Sequence, residues 1–147
     1  MKEVQIREML LADYAAAAQL WTRTPGLGLS DADSEENIRG FLERNKAMSF
    51  IAECGGELVG TALSGHDGRR GFIYHLTVRQ DHRHRHIGRE LVYRCLTALR
   101  RDGIAKCHVF VFADNAQGMR FWEQSGFAHR EELVIYSQNL DRKLLRD

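Results

Sequence analysis

Proline occurs once in this chain, at Pro25, so little of the backbone is barred from regular structure. Cysteine is scarce. Cys54, Cys95 and Cys107 are odd in number, widely spaced and without a Cys-x-x-Cys pair, which speaks for a reducing cytosol and against a disulfide framework or a zinc site. No apolar run approaches the length of a membrane span, and residues 1–5 begin no signal-peptide apolar core. A surplus of one charge is also missing. The net charge is +1, which makes no general case for nucleic acid. There is no Gly-x-Gly-x-x-Gly and no Gly-Lys-Ser/Thr, so neither a dinucleotide fold nor a P-loop is indicated. No repeat, low-complexity tract or linker divides the sequence. With 147 residues, 44% of them apolar, it suits one domain, residues 1–147, around one core.

What is present alternates between strand and helix patterns. Residues 4–9 read as a strand. Asp13 is placed to cap a helix running to about residue 22, with Ala17, Leu20 and Trp21 inward. The segment around Pro25 reads as irregular loop. Asp33 with Glu36 suggests a capping box for a second helix to Arg44. Residues 49–54 and 57–64 read as strands joined by the hairpin signal Gly55-Gly56. Residues 71–78 form a further apolar strand, 88–101 an amphipathic helix, and 106–112 another strand. Residues 115–125 read as a helix ended by Gly126, and 127–140 as one or two final strands. The order βααβββαβαβ(β) predicts an α/β fold with a mixed sheet.

The positive charge is not spread evenly. Between Arg79 and Arg101 seven arginines face only Asp81 and Glu90. Arg83, His84, Arg85, His86, Ile87, Gly88 and Arg89 lie between the strand of Tyr74 and the next helix. The first amides of a helix lack backbone partners, and the helix dipole favours negative charge there. This loop therefore suggests a phosphate-bearing ligand.

The same loop resembles the Arg/Gln-x-x-Gly-x-Gly/Ala motif of the GNAT acetyltransferase superfamily, with His86 where the first glycine is usual. A second block, from Asn115 through Phe121, Trp122 and Gly126 to Phe127, is similar to the family's Asn-x-x-Ala-x-x-Phe-Tyr-x-x-x-Gly-Phe helix. The turn of Asp67, Gly68, Arg69 and Arg70, running into Ile73, Tyr74, His75 and Leu76, resembles a YpeA-like branch. The resemblance implies a mostly antiparallel sheet flanked by helices and an N-acetyltransferase using acetyl-CoA. It also implies that backbone at Leu76, Thr77 and Val78 polarises the thioester. The amides from Arg83 to Arg89 would hold the pyrophosphate, and Asn115 would face the cofactor. The loop from Pro25 to Ser34, the second helix and the final strands would shape the acceptor pocket.

Acetyl transfer to an amine needs two proton movements. A lysine-like amine is neutral in roughly one molecule in a few thousand at neutral pH, and the leaving thiolate must gain a proton. Positions that carry acids or bases in relatives are Phe72, Phe110 and Trp122 here, and none of these trades a proton at neutral pH. Simple alternation puts Phe72, Tyr74 and Leu76 on one face of their strand and Ile73, His75 and Thr77 on the other. Tyr74 is then the preferred catalytic donor, Tyr136 a second candidate, and deprotonation through water a third route. Tyr74 divides evenly between catalysis and packing, and His75 and His108 read as structural. The histidines at 82, 84 and 86 are not read as a metal site, because Arg83 and Arg85 would repel a divalent ion.

The expectation is thus a cytoplasmic single-domain acetyltransferase, acting on a small-molecule or protein amine by direct transfer, without nucleic acid or membrane, and with a homodimer left open. Its rival is a CoA-binding sensor that has lost transfer activity. A basic nucleic-acid-binding protein is a more distant one.

Overall fold

Gly55 and Gly56 both take positive φ, +60° and +80°, and turn β2 (Phe50–Cys54) into the antiparallel β3 (Glu57–His66). In this computed structural model, which describes residues 2–140, β1 (Val4–Glu8) pairs with β2 on the far side. β4 (Gly71–Val78) pairs antiparallel with β3, across a turn in which the Asp67 carboxylate accepts the Arg69 and Arg70 N–H groups, both at 2.8 Å. β5 (Cys107–Val109) runs parallel to β4 after a helical crossover. The sheet order follows the sequence, β1-β2-β3-β4-β5, so the fold is α/β, as the residue pattern predicts, with the mostly antiparallel sheet that the resemblance implies.

The chain divides into two units, one ending at Asn115 and one from Ala116 onward. In the first, both faces of the sheet are covered. α1 (Tyr14–Thr22) and α2 (Glu35–Arg44) bring Ala17, Trp21 and Ile38 against Ile51 and Leu63. α3 (Ile87–Arg101) buries Leu91, Val92, Cys95 and Leu99 on the other face. A Cβ on Gly71 would lie 2.8 Å from Leu99 Cδ1, so glycine there lets α3 close on β4. Burying one such leucine contributes about 1.5–3 kcal/mol, which is why the narrow strand position is kept small.

In the second unit α4 (Ala116–Gln124) ends as its glycine predicts. Gly126 sits at φ +94°, and the Phe127 N–H bonds the Trp122 carbonyl at 2.9 Å. Trp122 meets Phe121 and Phe127 edge-on, with centroids 5.2 and 4.9 Å apart.

Four local expectations are corrected. Ser34, not Asp33, caps α2, its Oγ accepting the Asn37 N–H at 3.2 Å. Asp13 does not cap α1 through its side chain; it receives the Leu10 N–H and two bonds from Arg7. The strand expected over 106–112 shrinks to three residues. The final strands expected over 127–140 do not form among the described residues, and Leu133, Val134, Ile135 and Tyr136 are all exposed there. Apolar alternation gives strand propensity, but a strand exists only where another backbone completes its hydrogen bonds.

Candidate active site

α3 begins without a cap. His86 stands at its N-terminus in the left-handed region, φ +62°, with no side-chain hydrogen bond to the first turn, and the first helical bond runs from Glu90 N–H to the His86 carbonyl. His84, two residues earlier, is also left-handed at φ +65°. This explains why glycine suits the position of His86: a Cβ there costs roughly 1–2 kcal/mol. The N–H groups at the helix start are thereby left for an external acceptor.

The arginines around this start are less available than their number suggests. Arg79 pairs with Asp81 at 2.7 Å and with Glu57 of β3 at 3.0 Å. Glu57 lies outside the local stretch, so counting charge along the sequence misses it. Asp81 also meets His82, and these two partners hold its carboxyl down at about 2. Arg83 donates to the Val78 carbonyl at 3.0 Å, and Arg85 to the Lys2 carbonyl at 3.2 Å. Those two bonds pin the loop to the end of β4 and to the N-terminal segment. The Arg89 side chain, exposed on the first turn, makes no hydrogen bond or ion pair among the described residues.

β4 and β5 part company before β4 reaches the end to which Arg83 ties the loop. Their pairing covers Gly71 to Ile73 against Cys107 to Val109 and then stops. Beyond Ile73 the outer edge of β4, including Leu76, Thr77 and Val78, has no strand partner among the described residues. The edge thus carries backbone groups that a ligand's carbonyl or amide can meet.

On the face toward α1 and α2, the first half of β4 carries an aromatic strip. Phe72 lies nearly parallel to Tyr74 at 6.2 Å and to Phe110 at 6.0 Å, and Tyr74 meets Phe41 of α2 edge-on at 6.2 Å. His108 joins from β5, 5.8 Å from Phe72. Phe110 and Phe112 are exposed and Tyr74 is partly so. Burial, and secondarily the Cys107 thiol nearby, push the Tyr74 hydroxyl above its ordinary value. Burial likewise pushes the Cys95 and Cys107 thiols up to about 12 and about 11, which leaves both poor nucleophiles at neutral pH.

The loop between α1 and α2 reaches the C-terminal half of β4. Thr24 bonds Thr77 at 3.1 Å, and a Cβ on Gly28 would lie 3.1 Å from the Phe112 ring. Asp33 bonds His75 Nε2 at 2.6 Å, and Tyr14 donates its hydroxyl to the Asp33 carbonyl at 2.6 Å.

Here the expected facing of β4 is corrected. Register passes from Leu63 opposite Tyr74 to Thr61 opposite Thr77, so Ala62 alone faces both His75 and Leu76. His75 is the extra residue of a β-bulge, at φ +50°. Tyr74 and His75 therefore both turn toward α1 and α2, and Leu76 leaves the face of Phe72 and Tyr74. His75 packs on Trp21 with centroids 4.7 Å apart, and the Trp21 indole donates to Thr61, which donates to the His75 carbonyl. No residue pattern signals this bulge, because left-handed histidine is uncommon. The coupling of His75 to Asp33 leaves no mark in the residue pattern for the same reason.

The first unit thus brings Tyr74, Leu76, Thr77, Val78 and the loop from Arg83 to Arg89 to one end of the sheet. Asn115 closes that unit, directly before α4. Tyr136 and Trp122 belong to the second unit, where Tyr136 is 91% exposed.

A sequence model described as the acetyltransferase (GNAT) family matches residues 14–127. Among solved structures, the chain is similar to the aminoglycoside N-acetyltransferase AAC(6')-Iy in complex with a bisubstrate analogue, CoA-S-monomethyl-acetylneamine. Identity is 19% over 94% of this chain and 99% of that one, with a TM-score of 0.73. It is similar to the PaiA N-acetyltransferase of Thermoplasma acidophilum in complex with coenzyme A, at 18% identity over 88% and 92%, TM-score 0.75. It is also similar to the ribosomal-protein-alanine N-acetyltransferase of Brucella melitensis biovar Abortus 2308, at 20% identity over 93% and 99%, TM-score 0.70. At these identities the likeness is one of fold.

Proposed function

The chain belongs to the GNAT acetyltransferase family, and from that premise we propose that it moves an acetyl group from acetyl-CoA to a primary amine by direct transfer. The observation that carries this reading is the uncapped start of α3 beside the unpaired edge of β4. In this reading the amides from Arg83 to Arg89 hold the pyrophosphate, and the backbone from Leu76 to Val78 polarises the thioester carbonyl. Asn115 faces the cofactor. The structural neighbours crystallised with coenzyme A or its analogue support the choice of cosubstrate.

Direct attack is favoured over an acyl-cysteine because Cys95 and Cys107 are held protonated by burial. Tyr74 protonates the leaving thiolate. Its raised value keeps the proton in place at neutral pH but makes the transfer uphill, since a thiol titrates near 8.5. The transfer must therefore be coupled to recovery of a proton from the new amide nitrogen. Tyr136 is the second candidate donor. The acceptor is a small-molecule amine, as in the aminoglycoside enzyme above. The turn from Asp67 to Arg70 supports a YpeA-like branch, and the chain is read as one cytosolic domain.

A second reading, a CoA-binding protein without transfer activity, is favoured by Phe72, Phe110 and Trp122 at positions where relatives carry proton-handling groups. Two measurements separate the readings. Acetyl-CoA at about a hundred times its Kd should stabilise the protein by roughly 2.7 kcal/mol. Release of free CoA thiol with a panel of primary amines then marks transfer. Binding without thiol release favours the sensor, and no thermal shift at millimolar CoA overturns both.

A further inference from the structure

His75 is presented by the β4 bulge on the same side of the strand as Tyr74, against Trp21 of α1 and Asp33 of the loop before α2, which the acetyltransferase reading puts on the acceptor side. Its ring is enclosed: the side chain is 10% exposed, and Asp33 beside it 15%. Asp33 is fixed in turn. Its second oxygen accepts the Ser30 N–H at 3.0 Å, and its carbonyl takes the Tyr14 hydroxyl. The ring's hydrogen bond is made through Nε2. Nδ1 makes none among the described residues and is not fully buried, since no fully buried side-chain nitrogen or oxygen of those residues lacks a partner. A carboxylate on one nitrogen fixes the tautomer and leaves the other as a lone-pair acceptor.

Resting on the acetyltransferase reading, we propose that His75 is the general base of the transfer and that Asp33 positions it. The ammonium of the acceptor gives one proton to His75 Nδ1, directly or through one water. Its nitrogen then bonds to the thioester carbon, and the C–S bond breaks with its electron pair on sulfur. Sulfur takes a proton from the Tyr74 hydroxyl, Tyr74 recovers the second proton from the amide nitrogen, and His75 releases its proton to water. The left-handed backbone at His75 is disfavoured for a side chain, yet the bonds from Thr61 and Asp33 maintain it. A residue kept only for packing would be better placed without that cost.

Among the described residues Asp33 is the one charged side chain bonded to the ring; Tyr14, bonded to Asp33 behind it, and Tyr74, next along the strand, are further titratable groups. His75→Gly is the decisive variant, because glycine accepts φ +50° without strain and the fold should survive. With phenethylamine, putrescine, alanine amide and kanamycin as probe acceptors, turnover should fall about a hundredfold or more while the affinity for CoA stays the same. Added imidazole should restore part of the lost rate, and the acidic limb of kcat/KM should disappear. Asp33→Asn should lower kcat less than His75→Gly does. Near wild-type turnover in His75→Gly, or a loss that imidazole does not relieve with the acidic limb unchanged, overturns the assignment. A second measurement needs no acceptor. Nitrogen NMR of the CoA-bound wild type at pH 7.5 should show the proton of His75 on Nε2, and a proton on Nδ1 overturns the proposal. A protein that binds no CoA fails the acetyltransferase reading itself; one that binds CoA with Nδ1 protonated fails only the base.

Discussion

Ser34 closes the start of α2 by accepting the Asn37 N–H, and Glu35 and Glu36 add negative charge to its first turn, whereas α3 starts at a left-handed His86 with Arg85 and Arg89 on either side. Both helices lie in the same unit and both cover the sheet. α2 answers its own dipole with residues of the chain. α3 leaves its first amides without an acceptor among the described residues, and its one first-turn acid, Glu90, caps none of them. One start is finished by the fold and serves stability. The other is unfinished and suits an anion supplied from outside.

The difference can be broken from either end. Gly88→Asp carries the largest expected effect. A carboxylate in the first turn of α3 favours the helix dipole, so the fold should hold, but it meets the pyrophosphate. The thermal stabilisation by CoA, roughly 2.7 kcal/mol at a hundred times Kd for the wild type, should vanish. A normal shift in this variant would show that the anion binds elsewhere. Ser34→Ala should cost about 1 kcal/mol in urea unfolding while CoA affinity stays unchanged, since that cap serves only its own helix. A weakened CoA affinity there would mean that the two starts are coupled. His86→Gly has the smallest effect. Relief of the left-handed strain, roughly 1–2 kcal/mol, is offset by the extra chain entropy of glycine, roughly 0.5–1 kcal/mol. A net gain of about 0.5 kcal/mol, with CoA bound as tightly or more so, is expected by calorimetry; a loss would mean that the His86 ring contributes a contact of its own.

Tyr74 offers a different check, through pH. Its hydroxyl is raised above 10, so it stays protonated across neutral pH, and any loss of kcat from its ionisation should begin only above that value. An alkaline limb below pH 9 that disappears in Tyr74→Phe would require a cation near the hydroxyl that the described residues do not place there.

Much of the architecture was legible in the residues because it follows from local rules. The paired glycines at 55 and 56 require the hairpin, the apolar stripe from Leu91 to Leu99 requires an amphipathic helix, and Gly126 requires a helix end. The start of α3 behind the basic loop was legible for the same reason, since a helix start is a local feature. What the sequence could not decide depends on partners far along the chain. Glu57 neutralises Arg79 from 22 residues away, and the run from Leu133 to Tyr136 has strand propensity yet forms no strand among the described residues. The facing of β4 is the deepest case. Alternation assigns His75 and Tyr74 to opposite faces, and it holds only while each residue has one partner across the ladder. At Ala62 two residues share one partner, the backbone of His75 turns left-handed, and the imidazole swings under Trp21 to meet Asp33, 42 residues away. Periodicity is a property of a strand by itself; a bulge is a property of two strands together, so only the folded sheet could place it.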